Sequence, residues 1–488
     1  MNNSSSKIAK ATIFGTLWAY ASTYSSKLMV LVSTTILARL LAQEDFGIVG
    51  YALVIMGYLD IINGLGIGPA LIYYPRDDER TNMAFWLGLA VGITLFAMAW
   101  FLAPLAGEYF NDARAVPVTR VLALSFPLSA LSLVHEFLLR KELAFKRKAV
   151  ADFVRAMGKG IISIVLALLG FGVWSLVIGQ LMGVVFSVLA YWKVMPWYPS
   201  CHLNFSHTRS LLTYGLNIVS VRALSVVSLN TDFLLVGRYL GAALLGTYSL
   251  AFRIPEMIIG QFADIIGQVL FPAYSKMGYD SETYQKGVVM TIRYVSLVTV
   301  PVGLGLALVA RPFVLTLFTE KWENAIPVLV AISLAMVLDT LTYNFGDVYK
   351  ALGRPNILTK LAIVRVIILL PALWWAVTGP GTLIAVSKVV VGVSVIEMVT
   401  SFLVGRWILH ISLPMILRAL RPTAIGSSGM TLIVLGVLAL CADTTPAIQL
   451  VLAVLAGGTA YLSIMWFFEN KVIVTAVTTL RKGIAQRS

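Results

Sequence analysis

The fold is decided by Arg238-Tyr239-Leu240-Gly241 and the apolar run that follows it, Leu244-Leu245-Gly246-Thr247-Tyr248-Ser249-Leu250-Ala251. The same pattern occurs 199 positions earlier, where Arg39-Leu40-Leu41-Ala42 precedes Phe46–Ala52 and Gly47 aligns with Gly246. Each copy ends one long apolar segment, makes a short polar turn and begins another. The chain therefore contains a duplicated helix pair.

A second pair of matches lies at a neighbouring offset. Pro117-Val118 aligns with Pro327-Val328, and Val154-Arg155 aligns with Val364-Arg365, both 210 positions apart. Matches at two neighbouring offsets, in the same chain order, indicate that a whole multi-helix unit is duplicated.

The composition excludes a soluble enzyme. Hydrophobic residues make up 59% of the 488 positions and charged residues only 12%, whereas soluble chains carry about 25% charged residues. Mean hydropathy is +0.87. Because a backbone in lipid must form its hydrogen bonds within the segment, we expect an all-α membrane protein. The net charge of +14 fits anionic lipid head groups and insertion topology rather than nucleic acid.

About fourteen spans are expected, because a spanning helix needs about 20 mostly apolar residues. They lie near 12–41, 46–74, 82–106, 116–139, 149–169, 172–194, 210–239, 244–274, 286–310, 324–350, 357–378, 382–408, 423–442 and 446–468. The predicted domains are an N-terminal six-helix repeat over 12–194, a C-terminal six-helix repeat over 210–409 and an additional helix pair over 423–469. Breaks are expected at Pro196–Arg209 and Pro414–Pro422, and a basic tail at the end.

Lysine and arginine are distributed unequally between the two sets of loops. With the N-terminus taken as cytoplasmic, its side holds 23 of them: Lys7, Lys10, Arg76, Arg80, Arg140, Lys141, Lys146, Arg147, Lys148, Lys193, Arg209, Lys276, Lys286, Lys350, Arg354, Lys360, Arg406, Arg418, Arg421, Lys471, Arg481, Lys482 and Arg487. The opposite side holds 6: Arg39, Arg114, Arg120, Arg238, Arg311 and Lys321. This bias predicts that both termini are cytoplasmic. Since each repeat has an even number of spans, the repeats are related by an axis along the membrane normal.

The N-terminal apolar run contains Ala19-Tyr20-Ala21, which resembles a signal-peptidase site. The run continues to Leu41, well beyond a signal-peptide core of about 7–15 residues, so we expect a retained first helix. Cys201 and Cys441 are predicted on opposite membrane faces and are expected to be free thiols, with no metal site.

Catalytic and nucleotide-binding motifs are missing from the sequence. There is no Walker A sequence, no G-x-S-x-G and no H-E-x-x-H, and no connecting loop is long enough for a folded extramembrane domain. We therefore expect no catalytic residues, no enzyme activity and no cofactor beyond a coupling H⁺ or Na⁺.

Three cations at membrane depth are candidates for binding an anionic ligand. Lys27 lies midway along predicted helix 1, and Arg222 lies at a similar level of helix 7, its equivalent in the second repeat. Arg253 follows in helix 8. Charges at this depth are expensive and usually functional. The alternatives are snorkelling to the interface and pairing with a nearby carboxylate.

Three carboxylates are candidates for ion coupling. Asp60 is predicted in the middle of helix 2 without a partner on its own helix, and Asp264 lies two turns beyond Glu256 in helix 8. Glu256 also has the spacing for an ion pair with Arg253.

The remaining polar residues at helix level are given structural roles. Asp152, Arg155 and Lys159 are expected to continue the membrane interface, and His135 and Glu136 to face the surface. Asp339, Lys388 and Glu397 are expected to pair across the bundle rather than to bind ligand.

Several stretches resemble the Wzx-type polysaccharide transporters, in particular the WzxC-like branch of the multidrug/oligosaccharidyl-lipid/polysaccharide (MOP) superfamily. They are Asp45–Gly47, Gly64–Gly68, Ala70–Ile72, Arg140–Phe145, Gly170–Val177, Asn230–Asp232, Gly237–Gly241, Leu270–Lys276, Phe318–Trp322 and Ile326–Leu329. These stretches follow the family's order and spacing, and the resemblance as a whole runs from about residue 12 to 410.

This resemblance implies the export of undecaprenyl-diphosphate-linked oligosaccharide repeat units across the bacterial inner membrane by alternating access. It further implies a polysaccharide polymerase and a chain-length regulator as partners, and no nucleic acid. Lysine and arginine suit a diphosphate, whose negative charge they neutralise in a low-dielectric cavity.

Three other functions are compatible with a duplicated helical bundle. A multidrug antiporter of the same superfamily would favour acidic cavity residues, the opposite of Lys27, Arg222 and Arg253. A membrane-embedded polymerase or ligase would be expected to have a large external loop. A non-transporting scaffold for polysaccharide assembly would leave the intramembrane charges without a purpose.

The predicted topology can be tested with single cysteines in a background where Cys201 and Cys441 are serine. Cysteines at Ser200 and Arg418 should react with a membrane-impermeant maleimide only from the cytoplasmic side, and one at Asn111 only from outside, because of the lysine and arginine bias. Labelling at Ser200 from outside alone would contradict the two-repeat arrangement.

Overall fold

The structure is a computed structural model that describes residues 25–63, 67–73, 75, 77–200, 208–260, 281–354 and 356–485. Within these ranges, the side chains of 69, 73, 208–225, 281, 283 and 469–485 are outside the description. The described residues form helices and connecting turns and no strands.

The helices, in chain order, are α1 (25–40), α2 (Gln43–Leu59), α3 (Ile67–Tyr73), α4 (Asp78–Phe110), α5 (Ala115–Ala123), α6 (Ser125–Lys141), α7 (Phe145–Leu168), α8 (Val173–Val194), α9 (Thr208–Pro255), α10 (Ser281–Leu308), α11 (Ala310–Leu317), α12 (Ala325–Ala351), α13 (Asn356–Thr378), α14 (Leu383–Leu409), α15 (Leu413–Leu440) and α16 (Pro446–Ala485). A π-helical turn, Glu256–Gly260, follows α9, and a short 3₁₀ turn, Glu320–Trp322, precedes α12.

The all-helical membrane fold is confirmed. Helix is present within each predicted span, and ten helical segments of the described residues are long and apolar enough to cross a membrane. The number fourteen stays a prediction. Helix α7 is not among the ten; its first half carries Lys146, Arg147, Lys148, Asp152 and Arg155.

The predicted second span, 46–74, is wrong as a continuous helix. Helix α2 ends at Leu59, residues 60–62 form a turn, and a separate helix, α3, begins at Ile67. Asp60 is therefore the C-cap of α2 rather than a mid-helix residue. Asn63 Nδ2 donates to Asp60 Oδ1 at 2.7 Å, and such local side-chain bonds compete with the helical conformation. An apolar run alone does not reveal this competition.

Two predictions near the C-terminus are also wrong. The break lies at 410–412 instead of 414–422, because Pro414 occupies the first turn of α15, where its missing N–H removes no helical bond. Pro422 lies inside the same helix. The predicted span at 423–442 therefore begins too late, since the helix starts at Leu413. The basic residues Lys471, Arg481 and Lys482 of the expected tail belong to α16, which continues to Ala485.

The chain divides into two compact units, Met1–Ser249 and Leu250–Ser488. In the first, α7 packs on α8, α4 on α5 and α6, and α2 on α5. In the second, α12 packs on α10 and α14, α13 on α14, and α15 on α10 and α16. The boundary falls within α9, so the two six-helix repeats at 12–194 and 210–409 stay a prediction.

The duplicated stretches meet in the first unit through a reciprocal backbone contact. A Cβ added to Gly47 would lie 1.8 Å from the carbonyl oxygen of Ala242, and one added to Gly246 would lie 2.0 Å from that of Gln43. Residues 43 and 47 correspond to 242 and 246 at the offset of 199. Only glycine permits this approach, so the repeated glycines bring the two N-terminal helix turns together in a two-fold related way.

The turn that positions the second copy contains Gly241, whose φ of +84° interrupts α9. This left-handed conformation is open to glycine and strained for other residues. The first copy makes its turn differently, with Ala42 in extended conformation and its N–H donating to Asp45 Oδ2 at 3.0 Å. The two repeats thus reach the same crossing by different local chemistry.

Alanine at either crossing glycine should destabilise the protein. Gly47→Ala and Gly246→Ala should each lower the free energy of unfolding by about 1–3 kcal/mol, because the new methyl group meets backbone atoms that cannot move aside. Thermal unfolding of the purified protein in detergent measures this. Gly392→Ala on α14 is the matched control, since a Cβ there meets nothing within 4 Å. Equal stability of all three variants would contradict the close crossing.

Candidate functional site

Lys27 lies on α1 and is half-buried. Helix α1 packs on α7, because a Cβ at Gly160 would lie 3.0 Å from Ser33 Cβ and 3.8 Å from Met29 Cε. Lys27 therefore belongs to a helix that packs on α7 on one side, while Leu28 and Val32 of the same helix are exposed. Arg222 is part of α9, but its side chain lies outside the described residues, as does all of Asp264.

Arg253 and Glu256 are brought together where α9 ends. Arg253 lies in the last turn of α9 and Glu256 begins the π-helical turn, and Glu256 acts electrostatically on Arg253. Both residues are exposed. Pro255 between them cannot donate to the helical hydrogen-bond ladder, which explains why the α-helix changes to a wider turn here. Single π-turns of this kind are frequent at functional sites.

The candidates are divided between the two compact units. Lys27 and Asp60 belong to Met1–Ser249, whereas Arg253 and Glu256 belong to Leu250–Ser488. Asp60 is half-buried and accepts from Asn63, so the expectation that it has no partner on its own segment is wrong. Its role in coupling stays a prediction.

A buried carboxylate that the sequence interpretation overlooked lies in α9. Asp232 is 7% exposed, and its Oδ2 accepts from the hydroxyl of Tyr248 at 2.6 Å while Oδ1 accepts from the Phe233 N–H at 2.9 Å. Tyr248 is fully buried. In the sequence, Asp232 stands out only as part of the stretch Asn230–Asp232. An aspartate within a long apolar run is itself a sign of a polar group at membrane depth.

The end of α2 packs against this part of α9. A Cβ at Gly57 would lie 3.4 Å from Asn230 Oδ1, and Tyr58 is hydrogen-bonded to the Thr231 side chain. The motif Asn230–Asp232 therefore faces the last turn of α2, immediately before the break at Asp60. We call Tyr58, Asn230, Thr231, Asp232 and Tyr248 the α2–α9 polar cluster.

The opposite ends of these helices are joined by ionic contacts. Arg114 bridges Asp112 at 2.9 Å and Glu44, at the start of α2, at 3.2 Å. These two hydrogen-bonded carboxylates hold the pKa of the Arg114 guanidinium above its ordinary value. Arg238 Nη1 donates to the Tyr109 carbonyl oxygen at 2.5 Å, at the C-terminal end of α4. The loop after α4 thus ties α2 to α9 beside the glycine crossing.

The prediction that His135 and Glu136 face the surface is wrong for His135. His135 is 0% exposed, stacks on Trp192 with centroids 5.0 Å apart, and its Nε2 donates to the Trp197 carbonyl oxygen at 3.0 Å. Glu136 is half-buried and pairs with Arg140 at 2.5 Å. Aromatic residues of α8 and the segment after it cover the histidine, which position along α6 alone does not reveal.

Helix α7 carries the residues that were expected to extend the interface. Asp152 accepts from Lys148 at 2.5 Å and from the Tyr191 hydroxyl at 2.9 Å. Arg155 is exposed and Lys159 half-buried.

In the second unit, Glu397 forms an ion pair across the bundle, but its partner is not a residue of the expected set. Its partner is Arg365 on α13 and not Lys388. The sequence pattern singles out Arg365 only because it aligns with Arg155, and it does not indicate a partner for this residue.

Cys441 is a free thiol, and Cys201 lies outside the described residues. Among the described residues, no three histidine, cysteine or acidic side chains are grouped closely enough to hold a metal ion.

The long apolar helices are those of a multi-pass membrane protein, and the same fold is found in solved structures of transporters. The solved structure titled lipid II flippase MurJ, inward closed conformation, superposes with a TM-score of 0.77 at 14% identity, covering 94% of this chain and 100% of that one. An inward-facing multidrug resistance MATE family transporter of the MOP superfamily gives a TM-score of 0.61 at 18% identity, covering 81% and 98%. These likenesses show the fold.

The family follows from the sequence comparison. A family model described as polysaccharide biosynthesis protein matches residues 36–327, more than half of the chain, and the chain belongs to this family. Teichuronic acid biosynthesis protein TuaB of Bacillus subtilis is 26% identical over 82% of this chain and 83% of its own length. Succinoglycan biosynthesis transport protein ExoT of Rhizobium meliloti is 27% identical over 72% and 71%. Lipopolysaccharide biosynthesis protein WzxC of Escherichia coli is 26% identical over 75% of each chain. The Wzx-type resemblance is confirmed.

Loss of the buried hydroxyl at the α2–α9 polar cluster should destabilise the fold. Tyr248→Phe should lower the free energy of unfolding by about 1–3 kcal/mol, because Asp232 Oδ2 loses its donor in a buried place. Chemical unfolding of the purified protein measures the change. Tyr239→Phe, at a side chain that is 40% exposed, should stay within about 0.5 kcal/mol of the wild type. An equal effect of both variants would contradict the role of this bond.

Proposed function

We propose that the protein is a flippase that moves undecaprenyl-diphosphate-linked oligosaccharide repeat units across the bacterial inner membrane by alternating access. The product would serve surface or extracellular polysaccharide biosynthesis. In this proposal the protein is not an enzyme, both termini are cytoplasmic, and a polysaccharide polymerase and a chain-length regulator act on the exported unit.

The reciprocal crossing of Gly47 and Gly246 is the observation that carries the proposal. It joins the equivalent turns of the two repeats on the side that the charge bias assigns to the exterior. Two such copies in one chain support a mechanism in which the repeats separate on one side and meet on the other. The curated relatives, whose names refer to teichuronic acid, succinoglycan and lipopolysaccharide, support a saccharide substrate.

The diphosphate would be bound by Lys27, Arg222 and Arg253. Guanidinium and ammonium groups form short charge-assisted hydrogen bonds to phosphate oxygens, and their attraction grows as water is excluded. Arg253, exposed in the last turn of α9, is accessible to a ligand. Arg222 would add a second guanidinium with two parallel donors.

The return step would be driven by an ion bound at Asp60, Asp264 or Glu256, with H⁺ or Na⁺ as the coupling ion. A carboxylate at membrane depth carries a desolvation cost, and binding either ion relieves this cost because the negative charge is neutralised. Glu256 lies beside Arg253 on the π-helical turn, so ligand binding at Arg253 would alter the charge balance around Glu256.

The rival functions fit the residues less well. A MATE-type multidrug antiporter shares the fold, but three candidate cations would repel cationic drugs. A polymerase or ligase would need catalytic residues on an external domain. The segments between successive described helices are all too short to form such a domain.

Export should depend on the candidate cations. Lys27→Ala and Arg222→Ala should each weaken substrate binding about ten- to a hundredfold, since a hydrogen bond to a charged group contributes roughly 1.5–3 kcal/mol. Arg222→Lys should restore part of the loss, because charge is kept and the two-donor geometry is lost. The measurement is the amount of surface polymer formed when each variant is expressed in a strain that lacks the chromosomal gene. Lys286→Ala, at a side chain that is 72% exposed, is the surface control.

The same strain tests the function itself. Without the gene, lipid-linked repeat units should accumulate in the cytoplasmic leaflet and surface polymer should disappear. Polymer of normal length at the surface, with no second transporter in the strain, would show that the assignment is wrong.

A further inference from the structure

Three charged side chains meet inside the second unit, one from each of three consecutive helices. Arg365 on α13 forms an ion pair with Glu397 on α14, and the two side chains are 21% and 29% exposed. Asp339 on α12 is close enough to act electrostatically on Glu397, and Arg365 acts on both carboxylates. All three helices are long and apolar enough to span a membrane, so the cluster lies at membrane depth. We call it the α12–α14 charge cluster.

The cluster contains one carboxylate more than it has guanidinium groups. With both acids ionised its formal charge is −1, and an uncompensated charge at this depth costs several kcal/mol. A buried carboxyl group usually avoids this cost by taking up a proton. Charge balance thus favours one bound proton.

Hydrogen bonding in the cluster is incomplete at two buried atoms, Asp339 Oδ1 and Arg365 Nε. Ser394, which is 1% exposed, lies near the Asp339 carboxylate. One oxygen of this carboxylate, Oδ1, is buried and has no hydrogen-bond partner in the structure. A buried polar atom of this kind usually marks a water, an ion or a proton site. Glu397, by contrast, is satisfied by Arg365.

If the fold required this ion pair, the equivalent positions of the first repeat would be expected to form one too. They do not have the residues for it. At the offset of 210, Arg365 corresponds to Arg155, which is exposed. Asp339 and Glu397 correspond to Ser129 and Ser187. The first repeat keeps the arginine and has neither acid, so the excess carboxylate is a special property of the second repeat.

Other ionisable groups lie on the elements packed around the cluster. Thr340 is hydrogen-bonded to Thr299 of α10 at 3.1 Å, so Arg293 is nearly two turns from this level. These other ionisable groups are Arg293 on α10, Glu256 on the π-helical turn, Arg311 on α11, Tyr343 one turn along α12, Lys360 on α13 and Lys388 on α14.

We propose that Asp339 in the α12–α14 charge cluster is a proton-binding site, with Oδ1 as the atom that is protonated. A proton from water converts the carboxylate to the neutral acid, which leaves the Arg365–Glu397 pair balanced. Its release returns the cluster to −1 and makes both carboxylates compete for one guanidinium. If the proposed flippase function holds, this exchange supplies the coupling H⁺ at a place other than Asp60, Asp264 or Glu256.

A proton fits the cluster better than a metal cation does. Hard metal ions require several oxygen ligands, whereas a single carboxylate oxygen is left without a partner here, and the positive charge of Arg365 acts on the same carboxylate. The positive charge of Arg365 would repel a second fixed cation.

Carbodiimide labelling tests proton binding without any transport assay. Dicyclohexylcarbodiimide adds to protonated carboxyl groups in apolar surroundings and leaves ionised ones unmodified. In wild-type protein in detergent, the peptide that contains Asp339 should be modified more strongly at acidic than at alkaline pH, because only the protonated carboxyl group reacts. Mass spectrometry of the digested protein measures this. Sodium chloride at constant ionic strength should not protect the site, whereas protection by Na⁺ would overturn the choice of a proton.

Variants separate this site from its surroundings. Asp339→Asn should lose the labelling at this position, and Arg365→Gln should shift labelling to higher pH because the neighbouring positive charge is removed. Asp347→Asn is the matched control on the same helix, since Asp347 is paired with Lys350 at 3.2 Å. It should leave the pH dependence at Asp339 unchanged. An Asp339 peptide that is unmodified at every pH, or modified equally at every pH, overturns the proposal.

Reconstituted vesicles with an imposed pH gradient then separate the two proposals. Stimulation of lipid-linked sugar export by the gradient should be lost in Asp339→Asn and kept in Asp347→Asn. Absence of export by the wild type would contradict the flippase function, while pH-dependent labelling would still support the proton site. Export by Asp339→Asn that responds to the gradient as the wild type does would overturn the role of the site in coupling.

Discussion

The close approach of two backbones at Gly47 and Gly246 is the constraint on which the first unit depends. In lipid there is little hydrophobic force between helices, so association relies on van der Waals packing and short interhelical distances. Each glycine brings its helix against a carbonyl oxygen of the other copy's turn. Two further contacts lie beside this approach, because Arg114 forms an ion pair with Glu44 and Arg238 donates to the Tyr109 carbonyl oxygen.

Charges at membrane depth divide into two kinds in this protein. Asp232 and Glu397 are satisfied by neighbouring side chains, Tyr248 and Arg365. Arg253 is exposed and Asp339 has a buried oxygen without a partner. The first kind joins neighbouring helices. The second kind comprises the groups to which the proposed phosphate and proton binding is assigned.

The sequence was sufficient for the positions of the long helices and for the duplication, because apolar runs of about 20 residues and repeated turns are local signals. It was insufficient at Asp60, where Ile61 and Ile62 keep the run apolar while the bond from Asn63 to Asp60 accompanies the end of the helix. His135 was misplaced because its burial comes from Trp192 and Trp197, about 60 residues away in the chain. The partner of Glu397 was missed for the same reason, since Arg365 is on another helix. Pairings of this kind require the three-dimensional arrangement.

The glycine crossing also bears on how such a chain could arise. Residue 47 contacts 242 and residue 246 contacts 43, which is the isologous pattern of a two-fold homodimer, where each patch meets its own copy. An even number of spans per repeat lets two identical subunits insert in the same orientation, so fusion of their genes would preserve the interface unaltered. After fusion the two sides no longer share one codon. Gln43 and Ala242, and Ala42 and Gly241, are equivalent positions at which the two turns differ in sequence.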